Sequence, residues 1–234
     1  MKTECCLSRS RTPPLPVPLP APQWPSVSAC RLDQPRRERL EQYIACIFHA
    51  SYGARILEYL PLLFSLERDG TFCAALGMRS AAAAPLFCEG YLERPVEAEV
   101  LAHYGGHCER RHIMELGNLV ASGTGQGALL YLLVAAAAHR AGVRHLLFCA
   151  NRAVRLSIRR SGFTPLAIGP ALPERLGAES GRWGSYYDGK PLVMLGDLAL
   201  TAQQAAAQPA QREVLRRYSA SVAALAAEIE RHIP

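Results

Sequence analysis

The sequence predicts an α/β domain: a mixed sheet, parallel at its centre, flanked by helices. Three observations carry that expectation. Between residues 112 and 168 the apolar pattern runs strand, turn, helix, strand, helix, strand, the order that builds parallel pairs through helical crossovers. A glycine-rich turn, Ser122–Gly127, stands between the first of those strands and a strongly apolar helix. Hydrophobic residues make up 50% and charged residues 20% of the 234, the balance of a globular chain able to bury one sizeable core.

Taken in order, residues 1–35 read as a tail. Pro13, Pro14, Pro16, Pro18, Pro20, Pro22 and Pro25 remove ladder donors and block helix, so an extended spacer is expected. Leu40, Tyr43, Ile44, Ile47, Phe48, Ile56, Leu57 and Leu60 follow helical spacing, with a break near Gly53 and a stop at Pro61. Residues 62–67 and 71–78 read as strands joined by a tight turn at Arg68, Asp69 and Gly70. Residues 81–85 form a loop, and 86–92 fit neither period. A helix is expected over 95–104, opened by proline and acidic residues. The strand 112–120 leads into the turn, a helix over 128–141 stopped by Gly142, a strand over 144–149, a basic helix over 151–161 and a strand over 163–168. A last strand occupies 191–198. Residues 201–211 read as a linker, and 214–233 as an amphipathic helix that packs on its own domain or on a second copy, as a homodimer would. The main domain therefore spans 36–200, with 201–234 an appendage.

Bulk properties narrow the function classes. Twenty-six Lys and Arg against 20 Asp and Glu leave +6, which suits an acidic partner and equally suits a solvated basic surface. No nucleic-acid motif accompanies the charge. The eight cysteines include no Cys-x-x-Cys pair, and several lie inside apolar runs; a reducing, cytoplasmic setting is expected. The longest apolar run, 129–138, holds about half of the roughly 20 residues a membrane-spanning helix requires.

The turn carries the chemistry. A strand, closely spaced glycines and a helix start aim backbone N–H groups at one spot, where the helix end adds positive potential. Gly123, Gly125 and Gly127 admit close backbone approach, and a flexible loop is the plainer reading of the same three residues. No Gly-Lys-Ser/Thr follows, which excludes a Walker loop, and the acidic residue of a dinucleotide fingerprint is missing. Ser122 lacks the glycine spacing of a hydrolase elbow. His103 and His107 are separated by Gly105 and Gly106, with no general-base Glu after the first His, and no metal is expected.

Ser122, Gly123, Thr124, Gly125, Gln126 and Gly127, followed by Ala128, Leu129 and Leu130, resemble the pyrophosphate turn of the GCN5-related N-acetyltransferase superfamily. Asn151, Arg160, Gly162 and Phe163 resemble its downstream segment. A broader resemblance, over residues 40 to 198, is to the thermostable hemolysin family. It rests on Gly77-Met78-Arg79, Phe87-Cys88-Glu89-Gly90-Tyr91, Glu115-Leu116-Gly117-Asn118-Leu119, Trp183-Gly184-Ser185-Tyr186-Tyr187 and Pro191 to Met194. That family is similar in fold to acetyltransferases and acyl-homoserine-lactone synthases.

The resemblance implies an acyltransferase-like fold. It implies an acyl donor, an acyl-coenzyme A or an acyl-carrier-protein thioester, and a small amine acceptor. Residues 122–127 would hold the donor's phosphate and pantetheine part. The end of the preceding strand, Leu119 and Val120, would supply backbone groups near the thioester, and Asn151 would meet the pantetheine arm. Asn151 also reads as an N-cap. Glu115 is the candidate base, or else a strand residue paired with Arg79. The superfamily's Gln or Arg ahead of the glycines is Ser122 here. The tyrosine that often protonates the leaving thiolate falls at Ile158, so Tyr186, Tyr187 or water would have to replace it; Tyr187 is taken as the candidate. Arg152, Arg155, Arg159 and Arg160 suit coenzyme phosphates, an acidic carrier or solvent. The name hemolysin points to a second reading, membrane activity through the C-terminal helix, and Ile158 to a third, a donor-binding module that does not catalyse.

Overall fold

A computed structural model of the protein describes residues 24–160 and 162–234. Prolines 13 to 22 lie outside the described residues. The tail expectation fails at its inner end. Ser26–Cys30 form β1, which pairs antiparallel with β2, Leu62–Arg68. Between them α1 runs Arg37–Tyr52 and ends at Gly53 rather than Pro61. Gly53 has φ 64 and donates its N–H to His49 O, a left-handed cap of the kind glycine favours. Residues 54–60 then cross to β2 without regular structure.

β2 turns back into β3, Thr71–Ser80, through Asp69 and Gly70 at φ 51 and 75, the paired positive φ of a tight hairpin. A short 3-10 helix over Phe87–Tyr91 fills the segment that fitted neither period, and α2 follows at Val96–Tyr104. β4, Ile113–Ala121, pairs antiparallel with β3; α3, Gln126–Arg140, crosses over; β5, His145–Ala150, pairs parallel with β4. After α4, Arg152–Arg160, come β6, Leu166–Pro170, and β7, Leu192–Asp197.

The sheet order is β1-β2-β3-β4-β5-β7-β6. Parallel pairing is confined to the central β4–β5 pair; β7 inserts antiparallel between β5 and β6. The sheet is thus mixed and parallel at its centre, as expected, but the strand after α4 does not extend the parallel run. A helix pattern between two strands fixes a crossover, but says nothing of a later strand taking the place between them.

The C-terminal expectation also changes. The stretch read as a linker is helical, as α5, Leu198–Ala207, with Asp197 capping it through Leu200 N–H. α6, Pro209–Arg217, and α7, Ser219–Glu230, follow. Val222, Leu225 and Ile229 of α7 join the core formed by α3 and one face of the sheet. That explains why α3 is apolar on nearly all sides: it is covered by the sheet on one side and by helices on the other. α1 and α2 lie on the opposite face over two separate clusters, and the candidate site opens on that side.

Candidate functional site

The site begins where β4 and β5 separate. The two strands pair only from Ile113–His145 to Leu116–Phe148, although β4 continues to Ala121. The cause lies within β4. Between Gly77–Gly117 and Ala75–Val120, β3 advances two residues and β4 three, so β4 carries a bulge. Asn118 sits in it at φ 51, and its Oδ1 accepts the Leu60 N–H at 2.9 Å while its Nδ2 donates to Glu58 O at 3.4 Å. An Asn tolerates the left-handed region better than most side chains. The same residue therefore bends the strand and ties down the crossing segment.

Beyond the last β4–β5 pair lies a cavity of about 180 Å³. Glu115, Gly117, Asn118 and Leu119 line it from β4, and Cys149 and Asn151 from the end of β5. Arg55 to Leu60 form one wall. Phe48, Tyr52, Phe87, Trp183 and Tyr186 form an aromatic side, with Trp183 5.6 Å from Phe87 and 5.4 Å from Tyr186 between ring centres. Gly117 keeps the floor low, since a Cβ there would stand 3.0 Å from the Leu60 side chain. The aromatic side is locked to α1: Gly184 has φ 53, and an added Cβ would lie 2.0 Å from Tyr52 O, the atom that accepts the Ser185 N–H. Only glycine fits there.

Glu115 is 2% exposed at the inner end of the cavity. Arg79 donates to its Oε2 at 2.5 Å, as does the Phe87 N–H at 3.1 Å, and the Cys88 N–H donates to Oε1 at 2.7 Å. The pairing with Arg79 is present. The three donors leave the carboxylate room for one more contact, on the side where it lines the cavity. The segment supplying those N–H groups is itself anchored by Glu89, which accepts from Leu86 N, Val96 N and both Arg110 amino groups. Burial works against the Glu89 charge, but Arg110 and the two backbone donors outweigh it and hold the carboxyl down at about 2.

Asn151, 6% exposed, does two things. Its Oδ1 caps α4 through the Val154 N–H at 3.0 Å, and its Nδ2 donates to Tyr52 Oη at 2.7 Å inside the cavity. Cys88 and Cys149 bring their sulfurs to 3.4 Å on the same lining. The contact with Cys149 and burial push the Cys88 thiol well up.

The remaining expected residues divide. Leu119 lines the cavity, whereas the Val120 side chain packs into the core beside Leu40 and Ile44. Ser122, Gly123, Thr124, Gly125, Gln126 and Gly127 lie past the cavity, at the entry to α3. Ser122 gives both its N–H and its hydroxyl to Cys73 O. Gly125, at φ 80, is the N-cap of α3, so the helix-opening N–H groups have no acceptor within the helix. The Gln126 side chain folds over Gly123, with a buried, unpartnered Oε1. Tyr187 is a correction: Tyr186 lines the cavity, while Tyr187 turns its hydroxyl onto Tyr91 Oη at 2.5 Å. Ile158 is 3% exposed in the α3 core. On α4, Arg155 binds the Ala150 and Lys190 carbonyls, and Arg152 and Arg159 are exposed. α2 ends at Tyr104, so His103 and His107 share no helix face. Among the described residues, no group of three His, Cys, Asp or Glu side chains is placed to hold a metal ion. The sequence reading missed Tyr52 and residues 55–60, which lie in an ordinary apolar pattern and only meet the site by folding.

The fold is shared with solved structures. FeeM, an N-acyl amino acid synthase from uncultured soil microbes, matches at 16% identity, covering 77% of this chain and 94% of its own, with TM-score 0.52. TofI matches at 18% over 74% and 91%, with TM-score 0.51. The AHL synthase LasI matches at 14% over 74% and 90%, with TM-score 0.51. At such identities the likeness is one of fold, and it makes this an acyltransferase-type fold. No curated protein matches the sequence. Residues 30–202 match the thermostable hemolysin family, and with three quarters of its length inside that match the chain belongs to the thermostable hemolysin family.

Proposed function

We propose that the protein is an N-acyltransferase that moves an acyl group from a thioester, carried by coenzyme A or an acyl carrier protein, to a small amine. The observation that carries this is the parting of β4 and β5 over one cavity that gathers Glu115, Leu119 and Asn151. A thioester arm is long and narrow, and an opened parallel pair offers it unpaired backbone groups on β4 along an apolar slot. The α3 entry at Gly125 suits the donor's phosphates. The names of two proteins of similar fold, an AHL synthase and an N-acyl amino acid synthase, describe acylated products and agree with this reading.

In this scheme the amine enters beside the aromatic wall and attacks the thioester carbonyl. Glu115 takes the amine proton, directly or through a water, from its free side. Arg79 and the Phe87 and Cys88 N–H groups keep that carboxylate in place. The free thiols among the described cysteines, Cys30, Cys46, Cys73, Cys88, Cys108 and Cys149, suit the cytoplasm. The membrane-active alternative receives less support, because the apolar residues of α7 are already buried against the domain. No helix among the described residues is long and apolar enough to cross a membrane.

The test is thiol release from acyl-coenzyme A and acyl-carrier thioesters, with a panel of amines. Amine-dependent release, reduced about 100-fold or more in Glu115→Gln, is expected. Saturable donor binding without release from any pair would leave a binding module instead. Leakage of liposomes with neither binding nor release would favour the membrane-active alternative.

A further inference from the structure

Acyl transfer to an amine ends with a thiolate departing, and that sulfur needs a proton. Neither the residue at the superfamily tyrosine's usual place nor its expected replacement supplies it. Ile158 carries no proton to give and sits in the α3 core. Tyr187 is bound to Tyr91. The fold brings a different phenol to the cavity.

Tyr52 is the last residue of α1, and it lines the cavity with Asn151 and Leu119. Asn151 Nδ2 donates to its hydroxyl at 2.7 Å. The assignment of the amide is fixed, because Oδ1 is engaged with the Val154 N–H at 3.0 Å. An amide nitrogen only donates, so the phenol oxygen accepts there and its own hydrogen points elsewhere. The ring is held by Phe48 at 6.0 Å and edge-on by Tyr186 at 5.3 Å. The Tyr52 carbonyl is held by the Ser185 N–H at 2.8 Å. Tyr186 also lines the cavity, but burial and then the Cys149 and Cys88 thiols push its phenol well up. At Tyr52, Asn151 already aims an N–H at the oxygen that becomes negative once the proton leaves.

We propose that Tyr52 is the catalytic acid that protonates the leaving thiol, a role that rests on the acyltransferase reading above. The amine nitrogen bonds to the thioester carbon. As the tetrahedral adduct collapses, the C–S bond breaks and the sulfur takes the Tyr52 hydroxyl hydrogen as a proton. The phenolate accepts the Asn151 N–H bond, then recovers a proton: the one the amine gave up, passed on by Glu115 or water. The products are an amide and a free thiol, and the protein returns to its starting state.

The experiment compares Tyr52→Phe with the unaltered protein on two donors bearing the same acyl group. One is the coenzyme A thioester; the other is a 4-nitrothiophenyl ester, whose thiolate leaves without a proton. Tyr52→Phe keeps the ring contacts, and a thermal melt checks the fold. The expected loss is about 100-fold in kcat on the coenzyme A thioester, with donor KM nearly unchanged. On the aryl thioester the loss shrinks to a few-fold. Asn151→Asp keeps an acceptor for Val154 N–H but replaces the Nδ2 donor, and it is expected to show the same dependence on leaving group. Equal losses on both donors, or none on either, would overturn the role of Tyr52 while leaving the transferase reading intact. A protein that turns over no thioester at all would bring down both.

Discussion

Placing a single negative charge at Gly125 tests whether the entry to α3 holds the donor's phosphates. Gly125 has φ 80 and ψ −15, and an added Cβ there meets no atom within 4 Å. A side chain in that conformation costs roughly 1 kcal/mol of backbone energy, somewhat less for Asp or Asn. Asp at a helix start recovers about 0.3–1 kcal/mol through capping and the helix dipole. The fold of Gly125→Asp is therefore expected to stay within about 1 kcal/mol of the parent, a melting shift of roughly 2–4 °C. Binding behaves differently. A carboxylate about 5 Å from a phosphate charge is repelled by roughly 0.8 kcal/mol at a dielectric of about 80, and by roughly 3 at about 20. Donor affinity should thus fall somewhere between about 4-fold and about 150-fold for each phosphate charge within reach. Gly125→Asn bears the same backbone cost without the charge, and should bind the donor within about 2-fold of the parent. Calorimetric titration with acyl-coenzyme A, and in parallel with an acylated carrier protein, reads the difference. If Asp and Asn variants bind both donors as the parent does, the phosphates are not at this turn.

Three other outcomes follow from the geometry. The Glu89 carboxyl is held at about 2 against an ordinary 4.5, so the unfolded chain takes up its proton first as pH falls. The stabilisation is complete above about 4.5 and lost on the way down to about 2, worth at most about 3 kcal/mol and nearer 2 with Arg110 partly in water. Urea titrations across that window should show the slope in the parent and a shallower one in Glu89→Gln; identical slopes would refute it. Asn118→Ala loses the Leu60 N–H bond and keeps φ 51, and should destabilise by about 2 kcal/mol; Asn118→Gly, free of the backbone term, should recover roughly half. Oxidised glutathione or diamide should join Cys88 to Cys149, slowly because the Cys88 thiol is pushed up, and peptide mapping would find the bridge. Modification of the exposed Cys46 with no Cys88–Cys149 bridge would show that the two sulfurs do not meet in solution.

Much of the frame was legible because local signals agreed with it. Asp69 and Gly70 announced a hairpin; Gly142 ended α3; Asn151 opened α4 and does cap it. What could not be read was whatever depended on distant partners. Ser26–Cys30 become a strand only because β2 presents an edge to them, and the nearby prolines drowned that weak alternation. The stretch 201–211 looked like a linker because its alanines and glutamines show no strong stripe, yet Ala205 and Leu198 are buried against α3. In the site, Glu115 stood out as an acid within a strand, whereas Tyr52 lies 99 residues from the Asn151 that orients it. No spacing rule reaches that far. The choice between Tyr186 and Tyr187 was equally hidden, since it turns on which neighbour claims each hydroxyl.

The place of β7 in the sheet has a consequence for how the molecule comes into being. During synthesis β6 leaves the ribosome before β7, and among the described residues of the finished sheet β6 pairs with no strand but β7. Until residues 192–197 arrive, β5 presents an open edge of apolar residues and β6 has nothing to pair with. A chain released early, before about residue 190, carries the glycine-rich turn and the β4–β5 opening but keeps that edge exposed, the state most prone to join another copy edge to edge. The final strand therefore acts as a wedge driven between two that are already waiting, and the sheet closes from within rather than at its rim.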